Sequence, residues 1–443
     1  MDEAFLRYRS IIKEASVEYS NDFKQIYQQL EDSHAYYKGD VIPFLYQPFF
    51  FGQSEEDSFR YITEKLSSIL EKVIQEYVTN AEFRAHFNFS SQLEELILVN
   101  PGYENNFPMA RFDVFYYAPQ DIKFCELNAD GSSGMVKGNI LEDHFKDAAA
   151  VNELKKEYQI ENWDLVNSWL EAMFESYYQF KDSKEQPNIA IMDFNNYGMV
   201  GEFEYFKELL VDRGYRIKIV DPRELEYRNS SLYSDDFKID LIYRRAVTKD
   251  LMDHYQQLDD LWQAYKNHDV CLVGSMRSQI IHNKIIFAIL HDREKVSFLT
   301  AEEQQFIADY IPSTEVVDTQ SEKLLDKIIL QQKQLVLKPV DDYGGHGVLI
   351  GRDMNSAEWE KEVHRIWKER EDYLAQQFCP LPEKELVEFN NENLEFSSYK
   401  YILGLFTYNQ SFKGVYTRAD KQNVIASSAG CVTLPNFKVQ KRL

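Results

Sequence analysis

The stretch "RFDVFYYAPQDIKFCELNAD", residues 111–130, decides how this chain is read. Two apolar-rich halves meet at Ala118-Pro119-Gln120-Asp121, which predicts a β-hairpin. With the turn there, antiparallel pairing sets Asp113 opposite Glu126 and Arg111 opposite Asn128. Positions two apart share a face of a strand, so all four polar side chains project from one side. Like charges directly opposite each other repel. Two carboxylates so placed suggest a bound cation, and Asp, Glu and Asn supply the hard oxygen ligands Mg²⁺ prefers. The same residues can also close on themselves as a surface salt bridge of Arg111 with the two acids. Both readings stand at this point, and a one-residue slip of register would send the acids to opposite faces.

A second stretch, "LVLKPVDDYGGHGVLIG" (335–351), reads as strand, glycine loop, strand. Glycines let backbone N–H groups approach an anion closely, and Lys338 at the mouth of the loop adds a mobile positive charge. The phosphate signature G-x-x-x-x-G-K-[ST] does not fit, because the lysine precedes the loop. The G-x-G-x-x-G fingerprint does not fit either. Gly345, Gly347 and Gly351 are one residue too widely spaced, and a strand follows where a helix is needed. The stretch is a flap over phosphates or an ordinary hairpin turn. A lysine-glycine flap and a separate acidic hairpin are parts between which nucleotide phosphates commonly sit.

The chain has 443 residues, enough for two or three domains with real cores. Its 49 basic and 73 acidic side chains give a net charge of −24, with no basic stripe, which argues against nucleic acid as a partner. The 29 tyrosines and 30 phenylalanines argue for a folded protein. Cys125, Cys271, Cys379 and Cys431 lie far apart and form no C-x-x-C, so neither zinc nor a disulfide framework is expected. The N-terminal residues lack the pattern of a signal peptide, and no run reaches the roughly 18 apolar residues of a membrane span. A cytoplasmic protein with no membrane partner is the expectation.

Residues 1–90 read as helical, with Phe59, Ile62, Leu66, Leu70, Val73 and Tyr77 on one helix face and "PFFFGQSEEDS" as a break before it. A helical stretch is expected at roughly 138–180. Residues 188–250 have α/β rhythm: "NIAIMDF", "YRIKIVDP" and "IDLIYRR" as strands, and "EFEYFKELLVDRG" as a helix closed by Gly214. This predicts a small parallel, doubly wound domain. Beyond 272, Thr300 and Glu303 form a capping box. "EDYLAQQFCPLP" is a strand, and "YILGLFTYNQSFKGVYTR" a long hairpin.

These pieces together resemble a family. "RFDVFY…FCELNADGSSGM" resembles the R-x-D … E-x-N-A-D signature of circularly permuted ATP-grasp proteins, the group that includes the synthetase domain of glutathionylspermidine synthase. The stretches 189–227 and 239–245 resemble that family's central α/β domain. "GSMRSQIIHNKIIFAIL" resembles its lysine-bearing helix, 336–351 its phosphate-covering loop, and "YLAQQFCPLP" its adenine hinge. The resemblance implies an α/β (α+β) chain with a circularly permuted ATP-grasp fold around a central doubly wound α/β domain. Its parts would be residues 1–184 (helical region and metal-binding hairpin), 185–271 (α/β domain) and 272–443 (ATP-grasp region).

It also implies an activity: ATP activates a carboxylate as an acyl phosphate, and an amine then attacks to give an amide. The cofactors would be ATP and Mg²⁺, and the partners a small-molecule or peptide carboxylate and an amine acceptor. Carried over by position, Asp113, Glu126 and Asn128 would hold Mg²⁺, and Arg111 would stabilise phosphoryl transfer. Lys284 and Lys338 would contact the phosphates under a loop of Gly344, Gly345, His346 and Gly347. Gln376, Gln377 and Phe378 would meet adenine. Ser132, Ser133 and Arg418 are candidate substrate contacts, and a surface salt bridge is the other reading of Arg418. The hinge reads Gln-Gln where the family commonly has Gln-Glu, which weakens a side-chain role for Gln377. No amidase domain precedes the ligase region, so a second activity is not expected. A phosphotransferase on the same fold and a non-catalytic ATP-binding scaffold are the alternatives.

Overall fold

The computed structural model describes residues 2–182, 184–195, 200–342, 345–390, 393–427 and 430–442. In the middle of the chain four parallel strands form the doubly wound sheet, in the order Cys271–Val273, Leu241–Arg244, Asn188–Met192, Arg216–Val220. The runs "NIAIM" and "LIY" are short and continuously apolar because helices and loops cover both faces of such a sheet. Helix Val200–Asp212 connects two of the strands and stops at Gly214. With φ at +84°, Gly214 lets its N–H reach Val211 O (2.9 Å) and the Tyr215 N–H reach Leu210 O (3.0 Å). This pair of bonds is the Schellman termination that the glycine predicts. The first of these strands in the chain, Asn188–Met192, lies inside the sheet, and the chain winds away from it on both sides. The ends of Asn188–Met192 and Leu241–Arg244 therefore flank a switch point, where open α/β sheets form a crevice.

The largest sheet is antiparallel and runs Val432–Leu434, Ser411–Asp420, Asn393–Tyr408, Met109–Ala118, Asp121–Asn128, with Glu383–Asn390 also paired to Asn393–Tyr408. Its long hairpin turns at Asn409 and Gln410, both with positive φ, the two-residue turn whose twist matches antiparallel strands. Helix Gln53–Thr79 covers one face of the sheet. Its predicted stripe of Phe59, Ile62, Leu66, Leu70, Val73 and Tyr77 is buried, and the Phe59 ring packs edge-on against Tyr116 at 5.4 Å. Burying an aromatic side chain of this kind contributes about 2–3 kcal/mol.

A separate four-stranded antiparallel sheet has the order Thr314–Val316, Tyr373–Gln377, Leu335–Pro339, Leu349–Ile350. Helices Glu322–Leu330 and Ser356–Glu369 back it. Leu337, Trp359, Val363 and Ile366 belong to a small core distinct from the main one. The Thr300–Glu303 capping box forms as expected.

Two sequence expectations change. The stretch 138–180 is not one helical run. Strand Tyr158–Glu161 interrupts it, pairing with Asn436–Lys441, and Phe49–Phe51 in the supposed break pairs with the other edge of Asn436–Lys441. Strands this short carry too little periodicity to be read locally. Lines at residues 184 and 271 also do not separate the sheets, since the largest one joins 109–128 to 383–434. No helix among the described residues is long and apolar enough to cross a membrane.

Candidate active site

The hairpin Met109–Asn128 pairs Arg111 with Asn128 and Asp113 with Glu126, as the turn position predicts. Two irregularities, one at each end of the pairing beyond Asp113, cancel each other, so a plain count from the turn still lands on the right partners. Asp113 is 1% exposed and takes hydrogen bonds from Arg111 Nε (3.0 Å), Asn128 Nδ2 (3.0 Å) and Arg418 Nη2 (2.6 Å). The Arg111 Nη1 group donates to Ser133 O at 2.6 Å. Burial disfavours the Arg418 cation, but Asp113 holds its pKa above the ordinary value. Both guanidinium groups lie 5.8 Å from the centre of the Tyr416 ring. Arg418 is thus a buried partner of Asp113, not a surface pair.

The bulge in the hairpin falls at Cys125, which has no partner in the register. Its carbonyl instead accepts from Lys338 Nζ at 3.1 Å, and Gln376 Oε1 accepts from the same ammonium at 2.7 Å. Lys338 is the penultimate residue of strand Leu335–Pro339, facing Leu374 across the register, and its side chain reaches Gln376 on the same partner strand Tyr373–Gln377. The bulge therefore ties the glycine-loop sheet to the acidic hairpin. Burial lowers the pKa of Lys338 and outweighs its anionic neighbours. Lys284 precedes helix Ile285–His291 and lies 3.2 Å from Glu126 Oε1, while it also donates to the Asp342 carbonyl. Burial opposes ionisation of Glu126, but Lys284, Lys338 and His282 hold its pKa down to about 2.

These groups surround one cavity of about 650 Å³. Arg111, Glu126, Asn128, Ser132, Ser133 and Arg418 line it from the large sheet and the loop after the hairpin. Lys284, Lys338, Gly345, His346, Gln376, Gln377 and Phe378 line it from the other side. Asp113 lies behind this lining, and Gly347 is held from outside it by Tyr373 Oη on its carbonyl at 3.1 Å. Gly344 lies outside the described residues. The N–H groups of Gln377 and Phe378 already donate to Ser313 O (2.8 Å) and Gln334 O (2.7 Å). A base bound here would therefore meet carbonyl oxygens or side chains of those two residues rather than their amides.

The sequence reading missed the third wall. Asp193 and Arg245 directly follow the two strands at the switch point, and both line the cavity with Asp130, Asp250 and His282. Asp130 is paired with Arg244 and accepts from Thr248 N at 2.6 Å, and Arg245 is paired with Glu202. Burial pushes the Asp193 carboxyl up to about 6, against the pull of Arg245. A polar residue closing an apolar parallel strand was the available signal. Gly404 was missed as well. It faces Asp113 across the register, and a Cβ there would lie 2.7 Å from Arg111 Cδ and 3.1 Å from Asp113 Oδ1. A lone glycine inside the apolar strand "YILGLFTY" is the mark of such a close approach.

Among the described residues no group of three His, Cys, Asp or Glu side chains could hold a metal ion. The donors on hand are two carboxylates and an amide. Asn128 Nδ2 points at Asp113 (3.0 Å) and lies 3.5 Å from Glu126, and Lys284 also approaches Glu126. The positive ends of donors converge on the acids from two sides, and the oxygen chemistry fits a hard divalent cation.

The chain belongs to the family described as circularly permuted ATP-grasp type 2, whose model matches residues 86–419. Over nearly its whole length its fold is similar to a glutathione synthetase-like effector from Globodera pallida in its apo form: TM-score 0.61, 11% identity, covering 95% of this chain and 96% of that one. An uncharacterised protein of Mycobacterium tuberculosis (strain ATCC 25618 / H37Rv) is 24% identical over 188 residues, 40% of this chain and 33% of that protein. A putative glutamate–cysteine ligase 2-2 of Frankia casuarinae is 28% identical over 182 residues, 39% of this chain and 19% of that protein. The matched part of this chain thus spans a third or less of the length of these curated relatives.

Proposed function

We propose that this protein is an ATP- and Mg²⁺-dependent ligase that joins a carboxylate to an amine through an acyl phosphate. The observation that carries the reading is that Lys338 reaches the hairpin bulge, so a lysine under a glycine loop and an acid-arginine hairpin face one cavity. Family membership and the ligase name of the Frankia relative support it. A carboxylate is a poor electrophile and repels the phosphates of ATP. Lys284 and Lys338 would offset that charge on the nucleotide side, and Arg111 on the side where charge builds up in the transition state. Glu126, Asn128 and Asp113 would hold Mg²⁺, which when bound neutralises phosphate charge and orients the transferring group. The loop carrying Gly345, His346 and Gly347 would exclude water from the acyl phosphate. His346, which lines the cavity from that loop, would help order it rather than act as a base.

The atoms balance in two steps. The carboxylate oxygen attacks the γ-phosphorus and ADP leaves. The amine nitrogen then attacks the acyl carbon, inorganic phosphate leaves, and a proton is released. The test is ATP turnover against a panel of acids with hydroxylamine as the nucleophile. The expected products are a hydroxamate, ADP and phosphate in equal amounts. A product that keeps the γ-phosphate and yields no hydroxamate would replace this reading with the phosphotransferase, and nucleotide binding without turnover on any acid would favour the scaffold.

A further inference from the structure

Residues 1–85 lie before the matched family segment, yet they supply part of the cavity wall. Tyr36–Tyr37 and Asp40–Val41 form a two-stranded hairpin, and its tip residues Tyr37 and Lys38 line the cavity. The turn is tight, with Lys38 at φ +55° and Gly39 at φ +92°, so the lysine holds a backbone conformation that side-chain-bearing residues seldom adopt. The hairpin is also built into place. Its base is closed by the Ile42 N–H on Ala35 O at 3.0 Å. His34 pairs with Glu208 at 2.9 Å and meets the Tyr205 ring edge-on, both on helix Val200–Asp212. Gly201 has no space for a Cβ, which would lie 2.9 Å from the Tyr36 ring and 3.0 Å from His34 O. A connection fixed this firmly against the switch-point domain does more than join two helices.

The charges on that side of the cavity are unequal in their engagement. Arg245 is neutralised by Glu202, and Asp130 by Arg244. Among the described residues Lys38 is in no ion pair, and its Nζ lies 5.2 Å from the centre of the Tyr37 ring. On the proposed reading the nucleotide would lie with Lys338 and Gln376–Phe378, on or directly after strands of a different sheet from this hairpin. What reaches the Tyr37–Lys38 tip would then be the molecule to be joined.

We propose that this hairpin is a specificity element in which Lys38 receives an anionic group, a carboxylate or phosphate, carried by a condensing substrate away from its reacting end. The proposal rests on the ligase reading for the identity of that substrate, but not for the existence of the anion contact. An ammonium on a stiff turn selects by charge, and Tyr37 beside it gives the substrate an apolar flank.

The experiment compares the full-length wild type with Lys38→Glu, Lys38→Ala and Lys38→Arg. ATP affinity, measured by calorimetry, is expected to stay within twofold in all four, since Lys38 belongs to neither sheet that carries the proposed nucleotide groups. In the first arm, ATP-loaded protein is titrated with succinate, citrate and inorganic phosphate while its melting temperature is followed. At least one anion is expected to raise it in wild type and Lys38→Arg and not in Lys38→Glu. In the second arm, hydroxamate formation is measured on matched mono- and dicarboxylic acids, then amide formation on amines with and without a carboxylate. Lys38→Glu is expected to raise KM at least tenfold for the substrate bearing the extra anion and to leave its uncharged analogue unchanged. This arm tells whether the acid or the amine carries that group. Equal anion shifts in wild type and Lys38→Glu, or none in wild type, together with KM values within twofold, would overturn the proposal. If no acid gives a hydroxamate while the anion shift still separates wild type from Lys38→Glu, the ligase reading fails and the hairpin contact stands.

Discussion

The two long walls of the cavity rest on different cores, and that difference divides their work. The hairpin wall is part of the large antiparallel sheet under helix Gln53–Thr79, in the main core. Asp113 there is locked by Arg111, Arg418 and Asn128. The glycine-loop wall is a four-stranded sheet on its own small core around Trp359 and Ile366. Its lysine is only half-buried, and its loop depends on left-handed glycines. A densely packed wall holds its side chains in place, while a wall on a separate core is a unit whose stability is set apart from the rest. On the proposed reading, the main-core geometry would sit where a transition state needs it, and the separately cored sheet where nucleotide would bind.

The most damaging change should fall on the rigid wall without touching a functional group. Gly404→Val puts carbon where Arg111 Cδ and Asp113 Oδ1 lie. Overpacking of this kind costs about 1–3 kcal/mol, visible as a shifted urea midpoint. The larger effect should be on hydroxamate formation, down about 100-fold or more through kcat, because Arg111 is displaced from its aim. Arg111→Ala should match it in rate and leave the fold intact. If Gly404→Val turns over normally, the close approach has no bearing on the chemistry.

The glycine-loop wall should answer through binding. Lys338→Ala removes a charged hydrogen-bond donor, and such bonds contribute about 1.5–3 kcal/mol, so ATP affinity should fall about tenfold or more by calorimetry. The melting temperature should fall modestly, since the Cys125 carbonyl and Gln376 lose their shared donor while both cores stay intact. Unaltered affinity would remove Lys338 from the nucleotide site. Gly347→Ala should be milder. Gly347 sits at φ +69° with Pro339 Cγ 2.7 Å from the place of a Cβ, and the left-handed penalty is about 1–2 kcal/mol. KM for ATP should rise about three- to tenfold at nearly constant kcat. A fall in kcat with KM unchanged would mean that the loop acts on chemistry rather than on entry.

How far the sequence could be read follows the same division. The hairpin register was legible because a Pro-containing turn fixes the count and side-chain direction has a strict period of two. The doubly wound domain was legible from three apolar runs and a glycine stop. Asp193 and Arg245 were not, because each directly follows a strand, and their meeting depends on the order of strands in the sheet rather than on spacing in the chain. Gly404 was hidden for a similar reason: its partner Asp113 is far away in sequence and adjacent only across paired strands. The hairpin at Tyr37–Lys38 left no mark beyond a glycine after a lysine. Nothing local tells that such a turn faces a cavity built by residues far away in the chain.

The smallest expected effect sets two carboxylates of the one cavity against each other. Glu126 is held at about 2 by surrounding cations, whereas Asp193 at the switch point is pushed up to about 6 by burial. A carboxyl raised above its unfolded value of about 3.8 contributes stability that is fully present below that pH and is lost as pH rises through about 6. Above pH 6 the folded protein holds a charge that the unfolded chain solvates better. Asp193→Asn keeps the shape and removes that charge. Relative to wild type it should therefore be more stable at pH 7.5, by about 1–2 kcal/mol, and indistinguishable at pH 4. Glu126→Gln should behave in the opposite sense in metal-free protein. It loses the attraction of Lys284, so it should be less stable than wild type at pH 7.5 and still so at pH 4, the two converging only as pH falls through about 2. Urea unfolding of both variants at the two pH values decides it. Parallel behaviour of the two would mean that the switch-point wall and the hairpin wall share one electrostatic environment, and the contrast between them would go.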